Sequence, residues 1–331
     1  MSIFTRYLRR RAKKAKDLNA PFVHQRFVAP AAPSGPFLGR PQHYLTVATV
    51  LRNEGRYLRE WLAFYKAVGV DHVVLYDNSS TDNFQGEIED HLDSGWVEIV
   101  PWPYFVQGLN FQHLGFAHAV AHMAGRTTWL ALIDLDEFLF STRTIRLADT
   151  LRDYEDLPAL AAYWVNYGTS GHIMRPPGLV TESFPQRAAD NGLSEIKNYK
   201  SIVQPHRVKA TLGAHRFLTD LDPIVAFNER REPLTDKGRG EQLHMAEILR
   251  INHYFSRSRE EFETRFREGW ARIDPRILAK RRAMLRVIER NQVEDVSILP
   301  IVPHMRPWLG QGGGEHGQAA NGAGNLRLVI S

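Results

Sequence analysis

Between residues 44 and 140 short apolar runs alternate with stretches of helical period. Residues 44–51, YLTVATVL, are rich in β-branched and apolar side chains and predict a strand. From Glu54 to Val68 the spacing puts Leu58, Trp61, Leu62 and Tyr65 on one helical face, and Gly69 ends the helix. A second strand over His72–Asp77 completes a βαβ pattern, which favours a parallel pair with a right-handed crossover. Further along, Trp96–Pro101 predicts a third strand, Asn110–Ala124 a helix and Trp129–Asp134 a fourth strand. That last run is apolar throughout and lies between Gly125 and Asp134, as in a strand covered on both faces. The pattern predicts an α/β fold built on a Rossmann-like sheet.

After about residue 155 the pattern changes. Aromatic strand-like pieces such as residues 161–165 mix with polar loops, and residues 259–272 and 275–291 predict charged helices. Residues 1–41 form a basic, proline-rich arm; residues 42–155 and 156–309 read as two halves of one domain; residues 310–331 form a glycine-rich tail read as disordered.

Three of the four predicted strands end in polar chemistry. Arg52-Asn53-Glu54 follows the first, and Asp77 to Asp82 follows the second, with Asp82 placed to cap a helix. The fourth runs into Asp134, Asp136 and Glu137. In extended geometry Asp134 and Asp136 point the same way, a pair of hard oxygen donors suited to Mg²⁺ or Mn²⁺. Ionised acids beside an apolar strand need compensation, because desolvating a carboxylate costs several kcal/mol.

Composition narrows the classes. The 331 residues are 43% hydrophobic and 24% charged, enough for a substantial core. A net charge of +5 does not call for nucleic acid. With no cysteine, thiolate zinc sites, iron–sulfur clusters and cysteine nucleophiles are excluded, and a reducing compartment is compatible. The basic run Arg9 to Lys16 is not followed by the apolar core of a secretory signal, and the apolar run at residues 129–140 is too short to span a bilayer. The expectation is a soluble or peripheral protein; the basic N-terminus reads first as a solvated tail and second as a contact with an anionic membrane face. His118 and His122 have zinc-binding spacing, but Ala119 replaces the Glu that a metalloprotease needs, so packing is the better reading.

Three blocks together, Asn53-Glu54 with Glu60-Trp61, Tyr76-Asp77-Asn78 with Ser80 and Asp82, and Asp134-Leu135-Asp136-Glu137-Phe138, resemble GT-A fold glycosyltransferases of the family 2-like and family 92-like group. The likeness continues more loosely through residues 164–168, residues 200–205, His215 and residues 251–254. It implies a GT-A nucleotide-sugar-binding half over residues 42–155, a mixed sheet, and an acceptor-binding and C-terminal helical half. The implied activity is transfer of a hexose from a nucleotide sugar, a UDP-sugar first, to a hydroxyl of a glycan or lipid-linked acceptor, with inversion, in cell-surface polysaccharide synthesis. The resemblance also implies a cytoplasmic enzyme, peripheral at the inner membrane face.

By the same resemblance Asn53, Glu54, Asp77, Asp82 and Asp134 bind the donor. Asp134, Asp136 and His253 hold Mn²⁺ or Mg²⁺. Asp136, Lys200, His215 and Glu195 carry catalysis, with Lys200 a second clamp on the diphosphate and Glu182, Asp190, Glu195 and the histidines in competition for the base. Trp164, Asn166 and His172 meet the acceptor. The rivals are a nucleotidyltransferase, which lacks its glycine-rich basic loop here, an Asp-x-Asp phosphatase, whose motif would stand nearer the start of its domain, and a non-catalytic binder of anionic surfaces.

Overall fold

The computed structural model describes residues 40–103, 110–189, 198–235, 246–268 and 275–310. Strands β1 (His43–Leu51), β2 (His72–Asp77), β3 (Val97–Pro101) and β4 (Thr127–Leu132) run parallel in the order β4-β1-β2-β3. Helices Gly55–Ala67 and Phe111–Met123 make the crossovers into β2 and β4, within a residue or two of the predicted ends. The Asn110 side chain caps the second helix by accepting a hydrogen bond from His113 N.

Residues 156–309 extend this same sheet. After β5 (Glu137–Ser141) and β6 (Ala159–Asn166) come β7 (Gln186–Ala188), β8 (Tyr199–Val203), β9 (Val208–Thr211), β10 (Phe217–Thr219), β11 (Ile224–Phe227), β12 (Pro233–Thr235), β13 (Leu249–His253) and β14 (Gln292–Glu294). The long sheet has the order β12-β11-β6-β8-β4-β1-β2-β3, while β13 pairs with β6 and β5. Antiparallel β8 joins β4 to β6, so the sheet is mixed, as expected, and continuous across both halves. Helices Arg259–Glu268 and Pro275–Arg290 fall where the charged periodicity predicted them.

The apolar run at 129–133 is buried on both faces: Trp129, Ala131 and Ile133 join one core, Leu130 and Leu132 the other. All four residues predicted for the buried face of the first helix, Leu58, Trp61, Leu62 and Tyr65, are fully enclosed. Because β1, β2 and β4 are parallel, their carboxyl ends share one edge, and residues 52–54, 77–82 and 134–137 follow directly from it. Among the described residues no helix is long and apolar enough to cross a membrane.

Candidate active site

The first two loops at this edge are tied to each other. Asn53, at φ +55°, accepts hydrogen bonds from Thr81 N and Oγ1 through Oδ1, and its own N–H donates to Ser80 Oγ. Asp77 Oδ1 accepts from Ser80 N at 2.9 Å. Asp82 Oδ2 accepts from Gly55 N at 2.8 Å, so it caps the helix Gly55–Ala67 from a distant loop rather than a helix of its own. Asn53 and Asp82, read from the resemblance as donor contacts, thus serve here as struts of the loops. A Cβ on Gly55 would stand 2.8 Å from Phe84 Cβ and 2.9 Å from Asp82 Oδ2. Gly55→Ala should break this cap and cost about 1–2 kcal/mol, measured as a lowered denaturation midpoint; an unchanged midpoint would refute the strut.

The acids stand on a tight turn between β4 and β5, not on extended strand, which corrects the expectation that alternation aims them together. Two helix side chains hold that turn by its backbone. Trp61 Nε1 donates to the carbonyls of Asp134 and Glu137, each at 3.2 Å, and Tyr65 Oη donates to Glu137 O at 3.1 Å. Glu60, its neighbour in the motif, turns away and accepts from Val180 N, Thr181 N and Thr181 Oγ1. Opposite the turn, antiparallel pairing puts His253 across from Glu137, and Tyr254 N donates to Asp136 O at 2.8 Å.

The charges sort into two groups. Asp134 Oδ1 accepts from Lys200 Nζ at 2.7 Å and from Gln112 Nε2, and Lys200 lies 3.7 Å from Glu137 Oε2. Lys200 is completely enclosed; burial pulls its pKa down, but Asp134 and Glu137 raise it overall. It is the counter-ion of the acids, which corrects the reading of a clamp reaching out to a diphosphate. Asp136 is itself buried; Arg265 Nη1 lies 2.5 Å from its Oδ2, and Arg265 Nη2 lies 3.6 Å from Glu54 Oε1. Burial alone would raise the Asp136 carboxyl, yet Arg265 and Arg257 hold it well below the usual range.

Asp136, Glu137 and His253 bring ligand atoms within 4.8 Å of one another. His253 Nδ1 faces Asn166 Oδ1 at 2.8 Å, and because a carbonyl only accepts, the proton sits on Nδ1 and Nε2 offers a lone pair. Nε2 lies 3.8 Å from Asp136 Oδ1. Burial pushes His253 down to about 4, against the pull of Asp136, so the ring is neutral at pH 7. Two acceptors therefore face each other with no proton between them, and Glu137 Oε1 is buried without a hydrogen-bond partner. Burial and the Asp134 charge raise Glu137 well above the usual carboxyl range, a proton that a cation would displace. This oxygen-rich set with one imidazole fits a divalent ion. Glu137 thus joins Asp136 and His253 in this cluster, while Asp134 is paired with Lys200.

Asn166 is buried against His253, so it positions the histidine and does not face an acceptor, a further correction. Trp164 is half-buried, its ring 4.3 Å from that of His253 and 5.3 Å from that of His215. His215 Nδ1 donates to Tyr199 O at 2.8 Å, leaving Nε2 as the lone-pair nitrogen; burial and the nearby Lys200 charge hold it well below its ordinary range. His172 bonds Ser183 O and packs on Phe184, with no contact to the acids. Glu182 pairs with Arg306 at 3.4 Å. Asp190 and Glu195 lie outside the described residues. His118 bonds Tyr76 and His122 bonds Glu98, so this pair serves packing as expected.

Arg265, Arg257, Gln112 and Glu137 were not singled out from the sequence as site residues. Of these only Glu137 had a local signal, its place directly after the Asp-x-Asp.

An open α/β sheet with an acid and histidine cluster beyond its carboxyl edge has the layout of a ligand-binding α/β protein. Residues 44–263 match the family model of glycosyltransferase family 92, and the chain belongs to that family. It is 28% identical over 236 residues to a glycosyltransferase family 92 protein of Ricinus communis, covering 69% of this chain and 38% of the relative. A second relative, from Oryza sativa subsp. japonica, is 32% identical over 178 residues, covering 52% and 29%. The chain thus spans well under half the length of the curated relatives it matches. Among solved structures, S. aureus TarS 1-349 overlaps with a TM-score of 0.30 at 15% identity, over 49% of this chain and 47% of that one. The mannosyltransferase PcManGT of Pyrobaculum calidifontis, in complex with GDP-Man and Mn²⁺, overlaps at 0.28 and 19% identity, over 47% and 41%.

Proposed function

We propose that this chain transfers a hexose from a nucleotide sugar, a UDP-sugar first, to a hydroxyl of a glycan or lipid-linked acceptor. The observation that carries the reading is the buried Asp136 and His253 pair, two facing acceptors beyond the sheet edge of a family 92 chain. Asp136 and His253, with Glu137 or Asp134, would hold Mn²⁺ or Mg²⁺, which when bound would neutralise charge developing on the leaving diphosphate. Trp164 offers its exposed part as a stacking surface for the acceptor sugar, beside His215. His215 Nε2, neutral and unpartnered among the described residues, is the group assigned to take the acceptor's hydroxyl proton. Asn166 keeps His253 in the tautomer that faces Asp136.

Inversion, a role in cell-surface polysaccharide synthesis, and a cytoplasmic setting at the inner membrane face belong to the same reading. Their support is the motif resemblance, the absence of cysteine and the basic run from Arg9 to Lys16. Titration of UDP and GDP, each with Mn²⁺ and with chelator, tests the donor site without knowledge of the acceptor. Binding of one nucleotide that requires the metal is the expected result, followed by slow hydrolysis of the matching nucleotide sugar. Absence of nucleotide binding with either metal present would overturn the reading.

A further inference from the structure

Arg257 follows β13 by four residues and is anomalous in three respects. It is 6% exposed, its backbone lies in the left-handed region at φ +50°, and Nε has no hydrogen-bond partner. Among the described residues its guanidinium makes no ion pair and lies only over the Tyr57 ring, 3.4 Å from the centroid. Burial lowers its pKa to about 10, which leaves it charged at neutral pH. The nearby acids are already engaged, Glu54 and Asp136 with Arg265 and Glu60 with Val180 and Thr181. An unpaired buried cation costs several kcal/mol, and a cation–π contact offsets only about 2 kcal/mol of that. Left-handed backbone at a non-glycine residue adds strain of about 1–3 kcal/mol.

A second arginine lies over the same ring, and a third acts on it through space. Arg175 lies 5.0 Å from the Tyr57 centroid, and its pKa is lowered by burial and then by Arg56 and Arg257. Neither Arg175 nor Arg56 has an ion pair among the described residues. Arg257 and Arg175 on one ring, with Arg56 acting on Arg175 as a third like charge, repel each other, a repulsion that a bound anion would relieve. The loop that carries Arg175 is pinned: His172 O and Ile173 O accept from Arg259 N and Glu260 N, each at 3.0 Å. Ile173 and Met174 nonetheless stand 72% and 61% exposed beside it.

We propose that Arg257 and Arg175, gathered on Tyr57 with the charge of Arg56 acting beside them, form a phosphate-binding subsite next to the acid cluster. Two sources present that chemistry. The place of Arg257 after β13, four residues beyond the candidate metal ligand His253, fits the diphosphate of a nucleotide donor. The exposed Ile173 and Met174 beside Arg175 fit the headgroup phosphate of a lipid. Only the choice of the nucleotide as a source rests on the donor reading above.

The test is calorimetric titration of inorganic pyrophosphate, in chelator, into the full chain and its Arg257→Gln, Arg175→Gln and Arg257→Lys variants. Loss of one charge-assisted pair predicts binding about tenfold weaker or more in both glutamine variants, with partial recovery in Arg257→Lys. Pyrophosphate displaced by UDP assigns the subsite to the donor. Displacement by phosphatidylglycerol vesicles, but not by UDP or phosphatidylcholine vesicles, assigns it to a lipid headgroup. If Arg257→Gln fails to fold, the exposed Arg175→Gln carries the test alone. Pyrophosphate that does not bind the wild type, or binds Arg175→Gln and any folded Arg257→Gln unchanged, overturns the subsite. Metal-dependent UDP binding unaffected by these variants would leave the donor reading standing without it.

Discussion

Asp136→Ala is expected to abolish metal-dependent nucleotide binding and to reduce any nucleotide-sugar hydrolysis by on the order of 10²–10³-fold. Asp136 faces the lone pair of His253 Nε2 at 3.8 Å and is buried, so no solvent ligand replaces it at equal strength. The substitution also releases Arg265, the one cation within ion-pair distance of Asp136 among the described residues apart from His253. A loss of binding would then also follow from a disturbed helix Arg259–Glu268. Asp136→Asn removes that ambiguity, since it keeps the volume and an oxygen while removing the charge. Both variants should bind neither Mn²⁺ nor the metal–nucleotide complex at wild-type affinity, while their circular dichroism stays native. Wild-type Mn²⁺ affinity in Asp136→Asn would remove Asp136 from the metal site.

Lys200→Met should be the most destabilising single change at the site, by about 3–5 kcal/mol. The ammonium is completely enclosed, 2.7 Å from Asp134 Oδ1 and 3.7 Å from Glu137 Oε2. Methionine fills much of the same volume, so the loss reports charge rather than a cavity. It leaves Asp134 without its 2.7 Å counter-ion and the Glu137 carboxyl without the charge that draws it down. Asp134→Asn in the same background removes the acid left unpaired and should recover part of the loss. Denaturant midpoints of the two single variants and the double variant give the coupling, expected to exceed about 1 kcal/mol. An unchanged midpoint in Lys200→Met would show that Lys200 is not the counter-ion of the acids.

The candidate site was legible in part. Asp134, Asp136 and His253 were readable because chain position and motif placed them, and parallel pairing of β1, β2 and β4 carries the loops to one edge. Asn53, Asp82, Asn166 and Lys200 were identified as residues but not in their parts. Each is fixed by a partner far along the chain: Asn53 by Thr81, Asp82 by Gly55, Asn166 by His253, Lys200 by Asp134. A polar side chain at a strand end reads alike from the sequence whether it will meet a ligand or another loop.

The sequence by itself determined the four strands and the two long helices between residue 43 and residue 133, though not the short helix Glu89–Asp93, because the apolar period is written locally and burial on both sheet faces demands it. It also determined that acids would gather at the end of β4. Only the tertiary structure decided how their charges are met. Lys200 reaches Asp134 across 66 residues, Arg265 reaches Asp136 across 129, and Arg257 is left on Tyr57 with no carboxylate in ion-pair contact among the described residues. Coulomb energy depends on distance in space and on exclusion of water, neither of which has a period along a chain. Trp61 and Tyr65 show both levels in single residues: their helical spacing predicted burial, while the fold alone decided that their polar tips would hold the turn of the acids.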